Sequence, residues 1–279
     1  MSRVRLVALD LDGTLLDSRG EASDEDAAAL RSFHRDGVVV VLASGRMTSA
    51  VRPWYDKLGV DGPVISYNGA MARDSDARGS PVLLEKPLPA PYADELIDYA
   101  DRHHFHLNYY LDEVLYGKDD PLLRRYADIY TRQTGSVFHF VRNFERFRRC
   151  EPTKIILITD PSVAGENDPR RRDEQYEYWA SRWAGLVAIM KTNPEYLEFL
   201  DLDANKGDAL EAICRAYGIG QEETAAFGDG DNDAAMLRWA GVGIAVANAS
   251  GACRAAADII LAQTNDESPV ARAFESALK

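Results

Sequence analysis

The chain has 279 residues, 46% of them hydrophobic and 28% charged, the profile of a soluble globular protein with room for one large domain or two ordinary ones. Its formal net charge of −13 argues against a broad polyphosphate-binding surface, because nucleic-acid affinity comes mostly from Lys and Arg neutralising phosphates. Nucleic acid is therefore not expected as a partner, whereas a small phosphorylated ligand remains compatible, since a local pocket can be basic or hold metal on an acidic surface.

The apolar run after Met1-Ser2-Arg3 is interrupted by Asp10, so neither a signal peptide nor a membrane span is expected there, and the expected compartment is the cytoplasm, with no membrane partner. Residues 4–10 and 38–43 read as short buried strands. Between them, Ser23 followed by acids at 24–26 reads as an N-capped helix. A second helix covers about 47–58, and 64–67 forms another strand before an Asn68-Gly69 turn, whose residues tolerate positive φ.

From about 83 to 191 the character changes: most aromatic residues lie here, with strand-like "FHLNYYL" and "KIILIT" and helical stretches near 91–104, 121–133 and 172–184. This reads as an insertion, with Pro87, Pro89, Pro91 and Asn193-Pro194 as linker chemistry. His103, His104 and His106 lack a Cys/His partner set with zinc spacing and read as surface or a strand edge. Arg170-Arg171-Arg172, followed by two acids, reads as a solvated helix face. Cys150, Cys214 and Cys253 show no CxxC spacing and read as thiols.

The last third restores the alternation: helix 206–218, strand 224–228, helix 232–239, strand 242–246, helix 251–257, strand 258–261 and a final helix. Strands alternating with helices at this spacing indicate an α/β fold with a parallel sheet covered on both faces. The expected division is a core of residues 1–82 and 192–279, split by an insertion at 83–191.

Side chains at i and i+2 of a strand share a face, so Asp10 and Asp12 project together if the first strand continues to Asp12. That position is where open parallel sheets bind ligands. Adjacent carboxylates repel, and a divalent ion between them resolves the repulsion. A second acidic group, Asp229, Asp231 and Asp233 beside Asn232, offers hard oxygen ligands of the kind Mg²⁺ prefers. An EF-hand reading fails, since Ala234 and Ala240 stand where its glycine and bidentate acid belong.

Ser44-Gly45-Arg46 follows the second strand and offers a hydroxyl and backbone N–H groups for an anion. Lys206 can reach a phosphate and offset the carboxylates. P-loop and dinucleotide motifs are missing from the sequence. Together these residues describe phosphoryl transfer through an aspartyl-phosphate, with Asp10 attacking phosphorus and Asp12 as acid and base.

Asp10-Leu11-Asp12-Gly13-Thr14, Ser44-Gly45-Arg46, Lys206-Gly207 and Gly228-Asp229-Gly230-Asp231-Asn232-Asp233 occur in an order that resembles the haloacid dehalogenase (HAD) superfamily, specifically Cof-type phosphatases with a large inserted cap, class IIB. The resemblance implies a Rossmann-like core with an inserted α+β cap that selects substrate, and Mg²⁺ as cofactor. It implies Asp10 as nucleophile and metal ligand, Asp12 as acid/base and ligand through its carbonyl, and Asp229 as ligand. Ser44, Gly45, Lys206 and Asn232 would bind phosphate or substrate, and Asp233, Thr14, Arg46 and Asn68 would support them. The acid at position 12 favours phosphatase over dehalogenase. Ser268-Pro269 stands where the family usually has glycine, and no role passes to Asn265. The expected activity is hydrolysis of small phosphorylated metabolites such as sugar phosphates, nucleotides or phosphorylated cofactors. A phosphomutase or phosphotransferase is the alternative, and a phospho-accepting signalling protein a more remote one.

Overall fold

The computed structural model describes residues 4–74, 80–160 and 171–276. The chain divides into two compact units, Met1–Glu85 with Asn205–Lys279, and Lys86–Ala204. The first unit opens with β1 (Leu6–Asp10), α1 (Asp24–Arg35), β2 (Val39–Ala43), α2 (Thr48–Leu58), β3 (Val64–Ser66), β4 (Met71–Arg73) and β5 (Val82–Glu85). The Ser23 side chain accepts from the Asp26 amide and caps α1.

The inserted unit contains α3 (Ala90–His103), β6 (His106–Leu111), β7 (Val114–Lys118), α4 (Arg124–Thr134), β8 (Phe138–Val141), β9 (Lys154–Ile158), α5 (Arg172–Arg182), β10 (Val187–Lys191) and β11 (Tyr196–Asp201). Its sheet runs β10-β11-β9-β6-β7-β8. Period-two alternation divides the faces: Leu107, Tyr109, Ile155, Leu157, Leu197 and Phe199 join a core with α3 and α5, including Trp179 and Trp183. On the alternate positions, Tyr110 meets Tyr130 of α4 hydroxyl to hydroxyl at 2.5 Å, and Lys154 pairs with Glu198 at 3.1 Å.

The first unit then resumes with α6 (Lys206–Tyr217), β12 (Thr224–Gly228), α7 (Ala234–Trp239), β13 (Val242–Ala245), α8 (Gly251–Ala256), β14 (Ile259–Ile260) and α9 (Pro269–Ser276). Its sheet runs β14-β13-β12-β1-β2-β3-β4-β5. Val7 and Leu9 of β1 pack with Leu30, Trp54 and Phe274, from α1, α2 and α9. Leu6 and Ala8 pack with Leu210, Ile213 and Leu237, from α6 and α7. Burial on both faces explains why β1 reads as an unbroken apolar run rather than an alternating one.

Several sequence expectations change. The boundary expected at 191/192 falls at 204/205, because Tyr196–Asp201 pairs with β9 and β10 inside the inserted unit. The core sheet is not wholly parallel: β3, β4 and β5 pair antiparallel at one edge, around the Asn68-Gly69 turn. His106 is no edge or surface residue; it lies buried on β6, between β9 and β7. Arg170 lies outside the described residues, while Arg172 donates to the carbonyls of Thr192 and Asn193. Cys214 and Cys253 are buried free thiols. No helix among the described residues is long and apolar enough to cross a membrane.

Burial drives the His106 imidazole down to about 4. The folded protein thus keeps it neutral, while the unfolded chain takes a proton below about 6.5. Its contribution is present above that pH and is lost as pH falls towards 4. Between pH 7 and pH 5 the loss is on the order of 2 kcal/mol. Denaturant unfolding of wild type and His106→Leu at both pH values checks this: the variant should show a flatter pH response, and an equal response would refute the assignment.

Candidate active site

Strands β1, β2 and β3 step outward in one direction from β1, and β12, β13 and β14 step outward in the other from β12. The reversal lies between β1 and β12, and a crevice opens beyond the carboxyl ends of such a strand pair. Asp10 is the last residue of β1, and Asp229 directly follows β12. Lys206, the first residue of α6, has no solvent exposure. Its Nζ donates to Asp10 Oδ1 at 2.5 Å and to Asp233 Oδ1 at 2.6 Å. Asp233 Oδ2 accepts the amides of Asp229 at 3.0 Å and Gly230 at 2.9 Å. Asp233 therefore holds both the lysine and the loop that carries Asp229.

Carboxylate oxygens of Asp10, Asp229 and Asp233 lie within 4.8 Å of one another. Burial and the Asp233 carboxylate raise the Asp10 carboxyl well above its ordinary range, with Lys206 pulling the other way. Burial also raises Asp229, against the hydrogen bond from Thr14 Oγ1 at 2.7 Å. Burial opposes the Lys206 charge, but the Asp10 and Asp233 carboxylates override it and hold the ammonium above its usual value. With all three ionised, the carboxylates exceed the one ammonium by two negative charges, a repulsion that adds to burial in raising Asp10 and Asp229, in a set of hard oxygens. That donor set fits a divalent cation. Asp233 already takes three donors, so Asp10 and Asp229 have the greater remaining capacity to hold it.

Asp12 departs from the strand argument. β1 ends at Asp10, so the strand rule does not reach Asp12, which is not among the carboxylates grouped around Asp10. Asp12 instead receives Arg46 as a fork, Nε to Oδ2 at 3.0 Å and Nη2 to Oδ1 at 2.5 Å, with its side chain 55% exposed. Arg46 is thus committed to a carboxylate. Gly13 itself lies against the site: a Cβ there would be 2.6 Å from Asp229 Oδ2.

Ser44 is buried at the end of β2, and its Oγ accepts the Arg46 amide at 3.1 Å. Gly45 packs against Asn68, whose Oδ1 would lie 2.8 Å from a Cβ at 45. Asn68 Oδ1 also accepts Asn232 Nδ2 at 2.9 Å, so the β3–β4 turn and the β12 loop are tied across the crevice. Asp231 lies outside the carboxylate cluster and accepts Ser250 Oγ at 2.5 Å. Sequence reasoning missed Asn248 and Ser250. Their only sequence signal is their place after an apolar strand, at a carboxyl end of the parallel sheet.

The sequence model of a family described as haloacid dehalogenase-like hydrolase matches residues 7–274. The chain is 29% identical to phosphatase YwpJ of Bacillus subtilis (strain 168), covering 99% of this chain and 100% of that one. It is 27% identical to pyridoxal phosphate phosphatase YbhA of Escherichia coli (strain K12), covering 95% of each. Among solved structures it resembles TM0651 from Thermotoga maritima, with a TM-score of 0.84, 31% identity and coverage of 98% of this chain and 97% of that one.

If the excess negative charge makes a cation site, adding Mg²⁺ to metal-free protein should raise its thermal midpoint progressively. Binding contributes about 2.7 kcal/mol at a hundredfold excess over Kd. Asp229→Ala should abolish that response in differential scanning calorimetry; an undiminished shift in the variant would place the cation elsewhere.

Proposed function

The chain belongs to the haloacid dehalogenase-like hydrolases, and from that premise we propose that it is a Mg²⁺-dependent phosphatase of small phosphorylated metabolites, acting through an aspartyl-phosphate on Asp10. The observation that carries this reading is the buried Asp10–Lys206–Asp233 bridge beside Asp229, at the carboxyl ends of β1 and β12. A carboxylate nucleophile, fixed cationic charge and a hard-oxygen donor set are the parts that phosphomonoester cleavage needs. The name of YwpJ supports phosphatase activity, and that of YbhA a small phosphorylated substrate.

In this reading a carboxylate oxygen of Asp10 forms a bond to phosphorus as the ester oxygen leaves, and Asp12 gives the leaving oxygen its proton. Asp12 then takes a proton from water, whose oxygen attacks phosphorus and frees Asp10 and phosphate. The Arg46 fork orients the Asp12 side chain. Ser44, Gly45 and Lys206 bind phosphate oxygens, and Asn232, linked to Asn68, contacts the bound substrate. Mg²⁺, held by Asp10, Asp229 and the Asp12 carbonyl, would supply positive charge to the phosphoryl oxygens. Asp233 and Thr14 fix the orientation of Lys206 and Asp229. The inserted unit is assigned the choice of substrate.

Phosphate release from a panel of small phosphate esters, with Mg²⁺ and then with a chelator, tests the reading. Wild type should turn over only with the metal, and folded Asp10→Asn should be inactive. Asp12→Asn should lose about 10²–10⁴ in rate, the usual size of general acid–base help. Absence of turnover by folded, Mg²⁺-loaded wild type on every ester would overturn the proposal. Transfer to a second sugar hydroxyl rather than to water would make the protein a mutase.

A further inference from the structure

The turn that leaves β1 and carries Asp12 is gripped from outside by residues near the C-terminal end of the sequence. Asn248 Nδ2 donates to the carbonyl of Gly13 at 2.8 Å, between Asp12 and Thr14 in sequence. Asn265 Nδ2 donates to the carbonyl of Leu16 at 2.9 Å, and Asp266 Oδ1 accepts the Ser18 amide at 2.7 Å. Asn248 Oδ1 in turn accepts the Asn265 amide at 3.0 Å, which fixes the first side chain and couples the two asparagines.

The segment that presents these groups is itself anchored. The Val246 amide donates to the Gly228 carbonyl at 3.3 Å, and the Ser250 amide to the Asp229 carbonyl at 2.8 Å. The Ala247 amide donates to the Gln263 carbonyl at 2.8 Å. At the other side, Thr264 and Glu267 hold the short turn containing Asn265, with the Glu267 carboxylate accepting the Thr264 amide at 2.9 Å. Asn248 therefore stands on backbone tied to the Asp229 loop and reaches over to the Asp12 turn.

Asp12 needs such support. Its side chain is more than half exposed, and the Arg46 fork holds only the carboxylate, not the backbone that carries it. The turn closes on the Leu11 carbonyl, which accepts the Leu16 amide at 2.8 Å and the Leu15 amide at 3.1 Å, but these bonds leave the Gly13 carbonyl to Asn248. A hydrogen bond at Gly13 O fixes the peptide plane between Gly13 and Thr14 and so limits how far the glycine after Asp12 can swing the turn. Resting on the phosphatase reading above, we propose that Asn248 and Asn265 are positioning residues that hold the Asp12-bearing turn for proton transfer to the leaving group.

The readout is the dependence of kcat/KM on the leaving group, which reports the step that cleaves the ester. An alkyl phosphate needs the proton from Asp12, whereas p-nitrophenyl phosphate leaves as a stabilised anion and needs it far less. Asn248→Ala should lower kcat/KM for an alkyl phosphate by about tenfold to a hundredfold, consistent with the cost of misplacing a catalytic group. The loss on p-nitrophenyl phosphate should be several-fold smaller. Asn248→Asp keeps an acceptor for the Asn265 amide but has no N–H for Gly13, and should show the same selective loss; Asn265→Ala should show it in milder form. Calorimetry confirms that each variant is folded.

Equal losses on both esters, or none, in variants that fold would overturn the inference while leaving the phosphatase reading intact. A wild type that cleaves neither ester, with Mg²⁺ present, would overturn both.

Discussion

Lys206 carries a charge wholly withdrawn from water, and removing an ammonium from water costs several kcal/mol unless fixed partners replace its hydration. Asp10 and Asp233 are those partners, the first ending β1 and the second lying in the turn between β12 and α7. The ion pairing is complete only when β1, β12 and the first turn of α6 are in place together. Local sequence serves that requirement. Asn205 caps α6 by accepting the Asp208 amide at 2.9 Å, setting the helix start at Lys206. Gly69, at φ +94°, presses so closely on this start that a Cβ would lie 2.1 Å from the Asn205 carbonyl oxygen. The β3–β4 turn and the lysine helix are thus packed backbone to backbone, which only glycine permits.

The partners in this ion pair are far apart in sequence, Asp10 and Lys206 being separated by 196 residues. The interruption is tolerable because loop-closure entropy grows only with the logarithm of loop length. It is also reduced in effect because Lys86–Ala204 has its own core, built on Trp179, Trp183, Phe199 and Tyr109. An inserted segment that folds on itself is no longer a flexible loop of its full length. The core segments then pair in register, Leu6 with Thr224 and Leu9 with Phe227, and this parallel pairing delivers Asp10 and Asp229 to the same end.

How much was legible in the sequence follows from how far each feature depends on local order. Asp10, Lys206, Asp229 and Asp233 could be singled out because strand ends, helix starts and acidic clusters leave local marks. The Asp12 geometry could not be read from period two, because that rule holds only while the strand persists, and β1 stops at Asp10. The insertion's helices were visible through their length, but β7, β8 and β10 were not, since short half-buried strands such as Val114–Lys118 carry little pattern of their own, and the buried β11 was not read either. The boundary moved to 204/205 for the same reason: β11 is assigned by its pairing with β9 and β10, which no local signal shows. Ser268 stands at φ +53°, so the backbone shape usually given to glycine survives the change of residue. Asn248 and Asn265 act through backbone carbonyls distant in sequence, and their residue type alone does not mark them.

An acidic chain that accepts an anion poses an electrostatic question that composition answers only in part. Two unit charges 4 Å apart in surroundings of effective dielectric constant near 20 interact by about 4 kcal/mol. The excess of two negative charges at Asp10, Asp229 and Asp233 would therefore oppose a phosphate strongly if left alone. A divalent cation held there would cancel that excess, and the Lys206 ammonium would then act on a site of near-neutral net charge. Salt screens the exposed charges of the −13 chain beyond about 8 Å. An extended polyanion would meet that surface along its whole length, but a single phosphate meets only the local cluster. Net charge therefore does not bear on a phosphomonoester, whose fit is decided by the groups within a few ångströms of Lys206.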